Sequence, residues 1–301
     1  MKDEKLLDNY GLQLRGSEHT RRHFLAVARR FLETTNKRGR EGWLEFEEKM
    51  RKKGYSDGTI LTWFGIIRRL HKANDLPWDF RRGEAPVIRE SDVWAPALSP
   101  DVIEEMILAA KQGLLSGQEQ AFLAISTLYG TRRTEMIELA EDDIDIARGT
   151  IFIHTAKHGR ERMHMLPRAI IPYIENYDFD TPISEWSLNH VYRKIEARLG
   201  IKHANWCGWH AIRRTLVTEL TRKPVVVNSK GDVDLVANQM AIMKFMRWKS
   251  GGGIMSRYYA TSYVGRDGQA RAAMGEDIDL DRKVFSVHPF LAIWERGKRA
   301  I

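Results

Sequence analysis

The sequence predicts a mainly α-helical protein in two parts, an all-helical N-terminal module and a helix-rich second domain with a small antiparallel β-sheet. Three observations lead there. Apolar residues recur at helical spacing along most of the 301 residues. An aperiodic tract with four prolines interrupts them between positions 75 and 100. One short region, 150–167, switches to alternation of period two.

In chain order, "TRRHFLAVARRFLETT" (20–35) puts Phe24, Leu25, Val27, Ala28, Phe31 and Leu32 at helical spacing, with Arg21, Arg22, Arg29 and Arg30 around the other side. "WLEFEEKMRKKG" makes a second helix, closed at Gly54. "SDGTILTWFGIIRRLHKAN" makes a third: Ile60, Leu61, Trp63, Phe64, Ile67 and Leu70 are its apolar face, and its end is basic, with Arg68, Arg69, His71 and Lys72. Residues 1–82 are read as this module, and 83–99, inside "DLPWDFRRGEAPVIRESDVWAPALSP", as a linker.

The second domain is placed at 100–275. "DVIEEMILAAKQGLL" is helical, and "EQAFLAISTLYG" is apolar nearly all round, which predicts a buried helix. "TIFIHT" and "RMHMLP" alternate on either side of "AKHGRE", predicting a hairpin with Gly159 in its turn. "SLNHVYRKIEARLG" reads as a helix capped by Ser187 and stopped at Gly200. "HAIRRTLVTEL" carries Ile212, Leu216 and Leu220 on one stripe. The tail, 276–301, has the amphipathic end "VFSVHPFLAIWERGKRA".

A net charge of +8 points to a polyanionic partner. The single cysteine, Cys207, excludes an intramolecular disulfide and a cysteine-based metal cluster, which suits a reduced intracellular setting. "MKDEKLLDNYGLQLRG" lacks a signal-peptide core, and no stretch is apolar over membrane-spanning length. The expectation is a soluble protein, cytoplasmic or nucleoid-associated, with no membrane partner.

Four stretches could carry chemistry. In "YGTRRTEMIELAEDDID" a glycine ends the buried helix and Arg132 opens the next one, three residues before Glu135; alone, this reads as a surface arginine paired with Glu135 or Glu138. Lys157 sits in the hairpin beside His158, Arg160 and Arg162. In "WHAIRRT", His210 and Arg213 share one side of a helix. In "RWKSGGGIMSRYYATSY", Trp248 precedes Tyr258 and Tyr259. Together, two arginines, a lysine, a histidine and a tyrosine without a metal-ligand pattern suit phosphoryl transfer without a metal. Guanidinium forks can neutralise a phosphodiester bidentately. A phenol, with an ordinary pKa of about 10, becomes a usable nucleophile beside positive charge. A lysine can protonate the departing 5′ oxygen.

This order of residues resembles the catalytic domain of the tyrosine recombinases, the phage integrase family. "G-x-R-x-x-E" is matched by Gly130, Arg132 and, in support, Glu135; the hairpin lysine by Lys157; "H-x-x-R-R/H-T" by His210, Arg213, Arg214 and Thr215. Trp248 falls where the family usually has a second histidine and sometimes a tryptophan. The resemblance spans roughly Pro100 to Gly275 and implies a core-binding domain before it. It implies a clamp on double-stranded DNA, attack by tyrosine to leave a 3′-phosphotyrosyl bond, no need of metal, ATP or other cofactor, and a homotetramer in the synaptic complex. It also implies that the tail could dock on a neighbouring subunit, although the tail could equally pack on its own domain. Arg21, Arg22, Arg29, Arg68, Arg69, Lys72, Arg160 and Arg214 are the expected DNA contacts. The nucleophile lies within the pair Tyr258 and Tyr259: spacing from Trp248 favours the first, the following alanine favours the second, and Tyr259 is preferred. A topoisomerase IB-like or resolving enzyme would use the same residues, and a catalytically silent DNA-binding accessory protein would have lost at least one of them.

Overall fold

The computed structural model describes residues 2–81, 83–86, 97–155, 161–203, 208–223, 225, 235–248 and 277–296. It divides into two compact units, Met1–Trp94 and Ala95–Ile301. The described parts are mainly helical with one small antiparallel sheet, as the periodicity predicts. Among the described residues no helix is long and apolar enough to cross a membrane.

The described residues of the first unit form α1 (Lys2–Gln13), α2 (Glu18–Thr34), α3 (Gly39–Lys52) and α4 (Asp57–Ala73). Ser17 and Ser56 cap α2 and α4, each accepting from the backbone N–H three residues on. Gly54, at φ 80°, follows α3, where the sequence places its stop. The core is aromatic: Phe31, Trp43 and Phe46 are fully buried. Truncating one of them would cost about 3–5 kcal/mol. His71, also fully buried, hydrogen-bonds Ile67 O through Nδ1 at 2.9 Å and accepts from the Gly39 N–H at 3.0 Å, so its neutral ring ties α4 to the start of α3. The sequence reading assigns no helix to α1, which carries charges in its first turn but buries Leu7 and Tyr10, with Leu14 just past its end, at spacings of three and four. Trp78 and Phe80, just after α4, pack against this core. Arg21, Arg22, Arg29, Arg68, Arg69 and Lys72 are all exposed, on α2 and α4, which pack together.

The second unit is built around α6 (Gly117–Tyr129), buried on every side from Ala121 to Tyr129, as its apolar composition predicts. Around it stand α5 (Pro100–Lys111), α7 (Arg133–Ile137), α8 (Ile171–Ile174), α9 (Glu185–Arg198) and α10 (Trp209–Arg222). The sheet has three strands rather than a lone hairpin, in the order β1 (Ile144–Asp145), β2 (Thr150–Ile153), β3 (Arg162–Met165), all antiparallel. Ile151 faces His164 and Ile153 faces Arg162 across the β2–β3 pair, and all four are buried. The α9 cap is Ser184, one turn before the predicted Ser187, because the helix begins at Glu185.

Among the described residues three helices follow: α11 (Leu235–Phe245), α12 (Asp277–Ser286) and α13 (Leu291–Glu295). The amphipathic end expected near 284–300 is split between the last two at Val287–Phe290, where Pro289 lacks the N–H a continuing helix needs. His288 joins the pieces: its Nε2 hydrogen-bonds Leu128 O at 3.0 Å, and its Nδ1 accepts from the N–H groups of Phe290 and Leu291. Lys111 caps the far end of α13, donating to Ile293 O at 2.7 Å, Trp294 O at 3.0 Å and Arg296 O. Val284, Phe285, Phe290, Leu291, Ile293 and Trp294 belong to the core of this unit.

Candidate active site

The site is assembled where α6 and α11 both end. Gly130 stops α6 in the left-handed region at φ 53°. A Cβ there would lie 2.5 Å from Met246 Cε and 3.2 Å from Leu216 Cδ2, so glycine suits both the backbone and the space. The turn lets the chain extend through Arg132, the N-cap of α7, and brings Glu135 back beneath it. Glu135 accepts from the Arg132 backbone N–H at 2.8 Å and from the Arg132 guanidinium. The pairing expected of an isolated surface arginine is thus present, but Glu135 is buried while Arg132 keeps a fifth of its side chain open.

Arg213 reaches in from α10. Trp209 anchors that helix through an indole N–H donated to Leu188 O at 2.8 Å, and Thr215 anchors it through a hydroxyl donated to Leu98 O at 2.8 Å. The Arg213 guanidinium donates to Gly130 O and, at 2.8 Å, to Met246 O. These carbonyls stand at the ends of α6 and α11, where unsatisfied acceptors and the negative helix ends favour a cation. Trp248, itself buried, sets its ring 5.3 Å from the Arg213 guanidinium carbon, within range of a cation–π attraction.

A third arginine, to which the sequence reading gives no role, completes the group. Arg247 is fully buried and donates to Glu135 Oε2 at 2.9 Å, Tyr129 O at 3.2 Å and His164 Nε2 at 3.0 Å. Its backbone is left-handed at φ 58°, a conformation that costs a non-glycine residue about 1–3 kcal/mol. The signal was in the sequence: Arg247 follows "AIMKFM", apolar but for Lys244, directly before Trp248. Beyond it, His164 Nδ1 lies 3.2 Å from Asp281 Oδ2. Asp281 accepts from Arg162 Nη2 and from the Met165 N–H, each at 2.6 Å. Nothing in the local pattern around Asp281, on α12, marked it.

Electrostatics follow from this arrangement. Burial alone would raise the Glu135 pKa, but the guanidiniums of Arg247, Arg213 and Arg132 and the Arg132 amide outweigh it and lower it to about 2. Burial drives the His164 pKa down to about 4 against the opposing pull of Asp281, so its ring is neutral. With Nε2 accepting from Arg247, its proton sits on Nδ1, toward Asp281. His210 is exposed at the mouth beside Arg132 and Arg213. Desolvation of its flank, then the charges of Arg213, Arg214, Arg132 and Arg133, lower its pKa to about 4. An exposed ring keeps part of its hydration, so the four charges are the more durable cause. Among the described residues, the ion pairs of Arg132, Arg162, Arg213 and Arg247 run to two carboxylates, Glu135 and Asp281, so guanidinium charge outnumbers carboxylate charge within this described group. Such a site is built to receive an anion.

The structure therefore gathers Arg132, Glu135, His210, Arg213 and Trp248. Arg214 is buried, unlike the other described arginines expected on DNA. Lys157, Arg160, Tyr258 and Tyr259 lie outside the described residues.

Residues 96–263 match the model of the phage integrase family. Tyrosine recombinase XerA of Thermococcus kodakarensis is 24% identical over 207 residues, covering 67% of this chain and 70% of that protein. XerA of Pyrococcus furiosus is 26% identical over 169 residues, covering 55% and 57%. An integrase/recombinase of Escherichia coli is 28% identical over 134 residues, covering 43% of this chain and only 36% of that protein. Among solved structures, a lambda integrase dimer bound to a COC′ core site superposes with a TM-score of 0.61 at 11% identity, covering 87% of this chain and 98% of that one. The Tn1549 transposon integrase in complex with circular intermediate DNA gives a TM-score of 0.55 at 14% identity, covering 86% and 96%. The match spans more than half of the chain, the folds agree, and the chain belongs to the phage integrase family of tyrosine recombinases.

Proposed function

We propose that the protein is a site-specific DNA recombinase or integrase that cuts and rejoins duplex DNA through a 3′-phosphotyrosyl intermediate, using neither metal nor ATP. The observation that carries this reading is the surplus of guanidinium charge at the joint end of α6 and α11, with Arg132 and His210 open to solvent at its mouth. Arg132 and Arg213 bind the non-bridging oxygens of the scissile phosphate and stabilise the charge that grows on them. Tyr259, or its neighbour Tyr258, attacks phosphorus. Its phenolic proton passes to His210, whose neutral ring can accept it, and whose low pKa rises as the phosphate anion arrives. Lys157 protonates the departing 5′ oxygen. The phosphotyrosyl bond conserves the bond energy, so a 5′-hydroxyl from a partner strand can reverse the attack. Trp248 holds Arg213 from the side and exchanges no proton, because an indole N–H only donates. The exposed arginines of α2 and α4 grip the backbone, and a homotetramer joins two duplexes.

The resemblance of the solved relatives, whose structures hold DNA, supports the same partner. The test is trapping on a nicked suicide duplex, with the adduct read on a denaturing gel. Wild-type protein should form it, Tyr259→Phe should not, and Tyr258→Phe should. An adduct that persists when both tyrosines are replaced would refute the chemistry, and the reverse pattern would move the nucleophile to Tyr258. Exchange between two duplexes, against relaxation of one supercoiled plasmid, separates a recombinase from a topoisomerase.

A further inference from the structure

We propose that Arg247 is a positioning residue that keeps Arg132 and Arg213 apart and correctly aimed by occupying Glu135, and that His164 and Asp281 hold Arg247 in place from the other side. The functional consequence rests on the phosphodiester-cleaving reading above; the geometric claim does not.

Glu135 has two oxygens and three cationic neighbours. Oε1 takes the Arg132 guanidinium, while Oε2 takes the Arg132 amide and Arg247. Arg213 stays outside this shell: its Nη1 is 3.9 Å from Oε2, and its hydrogen bonds go to Gly130 O and Met246 O. A buried carboxylate that lost Arg247 would be short of a donor and would draw in the nearest cation not already bonded to it. That cation is Arg213. Arg247 therefore prevents a simple ion pair from taking Arg213 away from a phosphate.

The fork of Arg247 divides this work. Nη2 serves the site, through Glu135 and Tyr129 O, and Nη1 serves the sheet, through His164 Nε2. His164 can accept only while its Nδ1 carries the proton, and Asp281 Oδ2, 3.2 Å away, favours that tautomer. Asp281 is fixed in turn by Arg162 and by the Met165 amide. The line runs from α7 through the end of α11 and β3 to α12, and every member between Glu135 and Asp281 is at most 1% exposed. In sequence, two of its members bracket the stretch that holds Tyr258 and Tyr259: Arg247 precedes it and Asp281 lies on the first described helix after it. Packing of α12 onto β3 thus bears on where the arginines point.

The experiment compares Arg247→Met, Arg247→Lys and Asp281→Asn in the full chain by two readouts. The first is NMR of the Arg132 and Arg213 guanidinium groups without DNA, alongside core methyl signals that report folding. The second is the single-turnover rate of adduct formation at saturating duplex, with DNA affinity measured separately. Arg247→Met should shift the Arg213 and Arg132 signals with core methyls intact and slow adduct formation about a hundredfold, with affinity changed little, since a misplacement of about 1 Å is enough for that loss. Arg247→Lys, which keeps a charge for Glu135 but loses the fork, should recover part of the rate but not all of it. Asp281→Asn should shift the same signals less. Unchanged guanidinium signals in folded Arg247→Met overturn the proposal, as does a full wild-type rate. If Arg247→Met does not fold, the other two variants decide by the same criteria. A wild-type protein that forms no adduct refutes the cutting reading alone, because the NMR comparison still reads the positioning.

Discussion

Replacing Glu135 by glutamine preserves its shape and removes the charge on which three guanidiniums converge. Its size can be worked from the site. The carboxyl is held near pKa 2 in the folded protein, against an ordinary value of 4.5. A difference of about 2.5 pKa units is worth about 3 kcal/mol of stability at neutral pH. Removing one partner from a buried ion pair costs about 3–5 kcal/mol, which agrees. The sign follows from the direction: the folded pKa is depressed, so the contribution is complete above about pH 4.5 and is lost as pH falls toward about 2. At pH 3.5, roughly 1 kcal/mol of it should be gone. Urea unfolding is the assay, because urea does not screen charge, with peptide-resolved hydrogen exchange in α6 and α10 to separate the second unit from the first. Glu135→Gln should be less stable than wild type by about 3 kcal/mol at pH 7, and the gap should narrow between pH 4.5 and 3.5. Equal stability at pH 7, or a gap that does not change with pH, would refute the claim that the carboxylate is what balances the arginines.

Arg213→Ala should abolish adduct formation while leaving most DNA affinity, because other basic residues supply backbone contacts; gel trapping and a binding titration check it, and affinity should fall steeply with salt. Gly130→Ala should cost about 1–3 kcal/mol, from its positive φ and the methyl contact with Met246, and should slow adduct formation because Gly130 O anchors Arg213; thermal unfolding and trapping report the two effects. The imidazole C–H signals of His210 in DNA-free protein should titrate near pH 4, and a midpoint at or above 6.5 would contradict the charge environment described for the mouth of the site.

The parts legible in the sequence are those set by local chemistry. The helix ends at Gly54 and Gly130, the buried helix before Gly130, and the pairing of Arg132 with Glu135 all follow from spacing and residue type within one turn. The contacts of Arg213 with two helix ends follow from neither. They depend on α10 and α11 meeting α6, which no periodicity specifies. Strand β3 shows the limit most plainly. By hydrophobicity "RMHM" would turn its methionines inward, yet Arg162 and His164 are buried and Met163 is exposed. The register is fixed by partners more than a hundred residues away along the chain, Asp281 for Arg162 and His164, and by the Arg247 guanidinium, 83 residues from His164. A polar residue facing a core looks like an error until its counter-charge is in view.

That inversion bears on how a surplus of buried positive charge can persist at all. Each guanidinium removed from water must recover its hydrogen bonds, and a carboxylate for each arginine would restore neutrality and destroy the affinity for phosphate. The fold uses backbone instead. Gly130 O and Met246 O hold Arg213, while Tyr129 O helps to hold Arg247, all at the ends of two helices whose last carbonyls need donors. These carbonyl dipoles take up part of the donor capacity of Arg213 and Arg247 without cancelling their charge. The two carboxylates, Glu135 and Asp281, then orient the arginines while balancing only part of their charge. An additional carboxylate placed here, for example by Met246→Glu, would therefore be expected to weaken phosphate binding more than any loss of packing at that residue explains.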